Sequence, residues 1–317
     1  MNRRFLVVSL AAALPGVAFL GASPQKTRTP QSTITLAVAS GKIEVTLPEE
    51  HMRLSTEELL GWVESSAATV AQYYGRFPVP HLLLRIRHGG GQRIRGGWTF
   101  AKDGGLILVT VGENAGVGEL KDDWVLVHEM IHLGFPSMED KHHWLEEGIS
   151  TYVEAIARAQ AGKLSAEDVW KEFVRDMPQG QPEDGDRGLD NTPTWGRTYW
   201  GGAIFCLVAD VRIREQTRNR KSLRDALRGI LNGGGNINED WSIDRALVVG
   251  DRATGTSVLR TLYAEMSDKP VTVDLNSVWQ TLGVELRDGK IVFNDQASEA
   301  AIRRAMTAAE PAAPNRR

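Results

Sequence analysis

Apolar residues along the chain recur first with a period of two and later with a helical period, and the switch predicts the elements. Residues 34–38 and 43–47 alternate apolar and polar positions on either side of Ser40-Gly41, which reads as a short hairpin. Ser55 followed by Glu58 makes a capping box and opens a helix towards Tyr74, closed off by Pro78 and Pro80. Strands are expected over 82–87, 96–100 and 106–111, the last two joined by a turn at Asp103-Gly104-Gly105. Beyond residue 120 the pattern becomes helical. Asp122 or Asp123 can cap a helix ending at His132, stopped by Gly134 and Pro136. A second helix starts near Asp140 and fades at Gly162, and a third runs from Ser165 to about Met177. Residues 178–196, rich in Gly, Pro and Asp, read as a long loop of the kind that covers a site or moves. Helices follow from Tyr199, over 223–231 and over 258–266. The tail reads as a helix over 275–282, a hairpin of 284–287 with 291–294, and a terminal helix from Ser298. The predicted class is α+β, with no internal repeat.

Composition narrows this picture. At 42% hydrophobic and 24% charged residues the chain is an ordinary globular sequence, and a net charge of −3 offers no field that would recruit nucleic acid. Cys206 is the only cysteine, so no intrachain disulfide forms; its apolar surroundings over 203–209 predict a buried thiol. Arg3 and Arg4 precede an apolar run over 5–20, broken by Pro15-Gly16 and followed by small residues. That is the layout of a secretory signal over 1–22, cleaved after Ala18 or Ala22, which would send the protein to the periplasm or outside. The paired arginines also allow a twin-arginine route. An uncleaved anchor is the alternative, and it is the case that would bring membrane contact. Residues 23–32 read as a linker, and 310–317 are expected to be a disordered tail.

The chemistry is concentrated in His128-Glu129-Met130-Ile131-His132. Residues i and i+4 share one helix face, so both imidazoles can reach one zinc ion, and Glu129 projects beside it where it can take a proton from water. Downstream lies Trp144-Leu145-Glu146-Glu147-Gly148, with Glu154 seven residues after Glu147 on the same helix face. The pattern Tyr199-Trp200-Gly201-Gly202-Ala203 opens a later helix.

These three segments resemble the gluzincin zinc metallopeptidases, in particular the glycyl-aminopeptidase and large zinc-aminopeptidase families. The resemblance implies a thermolysin-like catalytic domain over 55–254, an antiparallel edge sheet above the zinc helix with a helical lower subdomain. A hairpin segment over 33–54 would precede it and an α/β segment over 255–309 follow. It implies one zinc ion held by His128, His132 and Glu147, with Glu146 as the competing third ligand. Glu129 would be the general base, Tyr199 an oxyanion donor, and Glu154 an acceptor for a zinc-bound imidazole. A metzincin pattern fails, because Phe135 and Met138 stand where Gly and His belong. His142-His143 reads as an exposed helix start. The strand Gly96, Gly97, Trp98, Thr99 would carry the peptide or protein substrate, with Thr99 where the large aminopeptidases place an amine-binding glutamate. An aminopeptidase using another group such as Glu113, a zinc-retaining binding module, and hydrolysis of a non-peptide amide or ester remain alternatives.

Overall fold

A computed structural model describes residues 33–309; the signal, linker and tail assignments lie outside the described residues. The chain opens with β1 (Thr33–Val38) and β2 (Gly41–Thr46), crosses through α1 (Thr56–Tyr74), and continues through β3 (His81–Gly89), β4 (Ile94–Phe100) and β5 (Leu106–Gly112). Ser55 caps α1 in the expected box with Glu58, and Gly75 ends it in the left-handed region at φ 83°.

The five strands form one sheet in the order β1-β2-β3-β5-β4. It is mixed, whereas an antiparallel sheet was expected: β2 and β3 are parallel, as are β3 and β5. The reason is the connection. Helix α1 returns the chain to the end where β2 began, so β3 runs alongside it in the same direction. Only β1 against β2 and the edge strand β4 against β5 are antiparallel. The opening hairpin is thus part of the same sheet. Ile43, Val45, Leu82, Leu84, Ile107 and Val109 are fully buried on its inner face, while Arg85 and Arg87 alternate outward.

Below the sheet lie α2 (Val117–Lys121), α3 (Val125–His132), α4 (His143–Gln160), α5 (Ala166–Asp176), α6 (Gly202–Thr217), α7 (Leu223–Asn232), α8 (Ile243–Thr254) and α9 (Val258–Met266). The chain then forms α10 (Leu275–Leu282), β6 (Val284–Arg287), β7 (Lys290–Phe293) and α11 (Ala300–Thr307). Sequence periodicity overlooked α2 and α8. Gly250 interrupts the α8 pattern and packs closely on α9, where a Cβ would stand 2.6 Å from Leu259 Cδ1. The last elements close onto the helices: Trp279 of α10 meets Trp170 of α5 edge to face at 6.1 Å, and Gln160 donates to the Met306 carbonyl. Cys206 is buried in α6, as expected. No helix among the described residues is long and apolar enough to cross a membrane.

Candidate metal centre

Helix α3 is buried on nearly every side by Val125, Leu126, Val127, Met130 and Ile131, so its three polar residues are held in an apolar frame. Asp123 starts it, accepting from the Val125 and Leu126 amides at 3.0 and 3.1 Å and from Trp62 Nε1. Burial pushes the Asp123 carboxyl up to about 6, against the pull of those three bonds. At the other end Gly134 lets the chain turn beneath Tyr74, whose ring a Cβ there would meet at 2.5 Å.

The turn brings α4 back across α3. Glu147 Oε2 reaches His128 Nε2 at 3.1 Å and His132 Nε2 at 3.5 Å, and the donor atoms of all three lie within 4.8 Å of one another. Ligands around tetrahedral zinc stand roughly 3.4 Å apart, from bonds of about 2.1 Å, and the 3.1 and 3.5 Å separations of Glu147 from the two imidazoles match that spacing. Burial would raise the Glu147 carboxyl, but the His132 and His128 imidazoles hold it well below the usual range. His132 is pushed up to about 9: burial works against its charge, and the Glu147 carboxylate outweighs it. Glu146 is not the third ligand in this arrangement. Its oxygens accept from the Met138 amide and from His143 Nδ1.

Glu129 points to β4. Thr99 Oγ1 lies 2.6 Å from Glu129 Oε2, and burial raises the carboxyl above its ordinary value, opposed by His128 and His132. Gly97 leaves the space the side chain needs: a Cβ there would stand 2.4 Å from Glu129 Cγ. A bulge between Ile94 and Gly97, with Gly96 at φ 134°, sets this register. Gly97 and Thr99 therefore face the metal helix. Trp98, between them, does not. By strand alternation it lies on the outer face, 5.2 Å beneath the Arg87 guanidinium. Glu113 follows the end of β5 and pairs with His88 at 3.3 Å.

Tyr199 arrives from the other side. Its ring stacks on His128 at 6.4 Å and 25°, with Trp195 beyond it at 5.9 Å. Burial raises its phenol pKa, and the charges on Glu147 and Glu129 add to this, so it remains a donor. It sits in a π-turn, Arg197–Gly201, not in regular helix. The distance from Glu147 is set where α4 crosses α6. A Cβ on Gly148 would fall 2.3 Å from Gly202 Cα, and one on Gly202 would fall 2.1 Å from the Trp144 carbonyl.

Two further expectations change. Glu154 does not accept from His128: Arg158 bonds it at 3.3 Å, and among the described residues His128 Nδ1 is buried without a partner. Two helical turns separate Glu154 from Glu147, about 10 Å along the axis, which carries it past the ring. His142 is buried, not exposed, with Nδ1 3.0 Å from Asp190 Oδ1. Sequence reasoning missed Asp190 altogether. It also accepts from Trp144 Nε1 at 2.7 Å and Tyr263 O–H at 2.6 Å. It missed His143, whose Nε2 lies 3.3 Å from Glu147 Oε1, and the buried pair Asp186–Arg197 at 2.8 Å. Only Gly148 and Gly202 carried a readable signal, as glycines inside helices with no turn to make.

No family model matches the chain, and no curated protein matches it. Solved structures do. An aminopeptidase N family protein from Idiomarina loihiensis superposes with a TM-score of 0.62 at 12% identity, over 81% of this chain and 50% of that one. The M1 zinc metallopeptidase from Deinococcus radiodurans superposes at 0.50 and 13% identity, over 77% and 52%. A variant of the latter bound to a Tyr-Ser-Ala substrate gives the same score at 13% identity, over 77% and 53%. The chain thus has the fold of these M1 zinc metallopeptidases and spans about half their length.

Proposed function

We propose that the protein is a zinc-dependent hydrolase of peptide bonds. One observation carries this: two imidazoles and a carboxylate converge at zinc-binding separations, with Glu129 buried beside them. A zinc ion held by His128, His132 and Glu147 would supply Lewis acidity, polarising the scissile carbonyl and acidifying water. Glu129 takes the proton of the attacking water and passes it to the leaving amine. Its raised carboxyl pKa suits both halves of that task. Tyr199 donates its O–H to the oxyanion as charge develops. The free edge of β4 offers backbone groups with which an extended peptide can pair as an added strand. A neighbour of the same fold bound to Tyr-Ser-Ala supports a peptide substrate. Neither Thr99, bonded to Glu129, nor Glu113, paired with His88, presents a carboxylate to a substrate amine, so this reading requires no free N-terminus.

The test is metal analysis of the purified protein with cleavage profiling of a peptide library that includes N-blocked members. Glu129→Gln should keep one zinc and lose hydrolysis; a zinc-loaded, active Glu129→Gln protein would sink the reading. We infer export from Arg3, Arg4 and the apolar run alone. Recovery of all activity in the cytoplasmic fraction would count against it.

A further inference from the structure

We propose that Thr99 is a positioning residue for Glu129, fixing which carboxylate oxygen meets the attacking water. The inference rests on the reading of Glu129 as the proton carrier.

Thr99 Oγ1 has two acceptors within reach, Glu129 Oε2 at 2.6 Å and the Glu129 backbone oxygen at 3.0 Å. A hydroxyl has one proton to give, and the shorter distance and the negative charge assign it to the carboxylate. Oε2 is therefore the oxygen held by the strand, and Oε1 the one that carries no bond from Thr99. The strand closes on the same group two residues earlier: a Cβ at position 97 would stand 2.4 Å from Glu129 Cγ and 2.8 Å from Oε1. Positions 97 and 99 share one face of β4, so the strand leaves room for the Glu129 side chain at Gly97 and bonds its carboxylate at Thr99.

The arrangement suits both halves of a proton shuttle. The proton of the attacking water goes to Oε1, and from Oε1 to the amine nitrogen as the C–N bond breaks. Thr99 keeps its own proton throughout, because Oε2 can accept from it whether or not Oε1 is protonated. Without the hydroxyl the carboxylate could rotate, and only some of its rotamers would present an oxygen to the water. The hydroxyl at 99 thus serves the base and not the substrate.

The experiment compares Thr99→Val, of the same shape without the proton, with Thr99→Ser, which keeps it. Thr99→Val should bind one zinc, lose about ten- to a hundredfold in kcat, as for a hydrogen bond to a charged group, and keep KM within about twofold. Thr99→Ser should restore most of the rate. Binding of a peptide to zinc-loaded Glu129→Gln protein should be the same with Thr or Val at 99. A fully active Thr99→Val overturns the proposal, as does a raised KM at unchanged kcat or weaker peptide binding in the double variant, both of which mark a substrate contact. If Thr99→Val does not fold, Thr99→Ala against Thr99→Ser decides, with equal rates overturning the idea. Hydrolysis by Glu129→Gln would defeat the base reading itself; an inactive Glu129→Gln beside a fully active Thr99→Val would defeat this inference alone.

Discussion

His128, His132 and Glu147 stand on two regular helices, whereas Tyr199, which faces them, is carried by a π-turn at the end of an irregular stretch. The two sides are held by different forces. Helices α3 and α4 are fixed by broad apolar burial, so many contacts share the task of aligning the ligands. The irregular 177–201 stretch buries only a few apolar residues, Met177, Leu189 and Trp200, and adds polar anchors to them. Asp190 receives bonds from His142, Trp144 and Tyr263, and Asp186 pairs with buried Arg197. Gly180 and Gly196 let its backbone close on itself, with virtual Cβ contacts of 2.2 Å to the Trp200 carbonyl carbon and the Gln179 oxygen. Regular structure spreads the constraint; irregular structure concentrates it. The long loop expected over 178–196 is therefore a pinned wall of the site, tied to α4 and α9.

Three perturbations test that contrast, from the largest effect to the smallest. On the helical side, His132→Ala should abolish zinc binding and hydrolysis while leaving the far-ultraviolet circular dichroism unchanged, because the apolar frame of α3 survives; full zinc occupancy would break the comparison. On the irregular side, Tyr199→Phe should lower kcat by about a hundred- to a thousandfold with zinc content and KM unchanged, the usual loss for one oxyanion donor. A rate within threefold of the parent would remove Tyr199 from the chemistry. Asp190→Ala leaves three donors without their acceptor and should cost about 3 kcal/mol in denaturant unfolding. A cost below about 0.5 kcal/mol would mean that the wall does not depend on this anchor.

Much of the centre was legible because its spacing is local. The i, i+4 histidines need only a helix, and the capping box at Ser55 and the hairpin around Asp103-Gly104-Gly105 declare themselves within a few residues. Trp98, expected only as part of the strand that carries substrate, turns outward under Arg87 by alternation with Gly97 and Thr99. The parallel pairing of β2, β3 and β5 was hidden because it depends on the path of the crossovers, which no single strand encodes. Asp190 was invisible for a similar reason, its partners lying 46 to 73 residues away in the chain.

By itself the sequence determined the shared face of His128 and His132 on α3 and the return of the chain at Gly134 and Pro136, and it pointed to Glu147 as their neighbour. The first two are matters of helical period and of a residue's own backbone preference, and these act over short separations. Tertiary structure decided the rest: Thr99 turning to Glu129, Glu154 to Arg158, and Tyr199 coming to rest against His128. A side chain's partner is chosen by which surfaces pack, and here the packing was settled by contacts such as Gly148 on Gly202, between residues 54 positions apart.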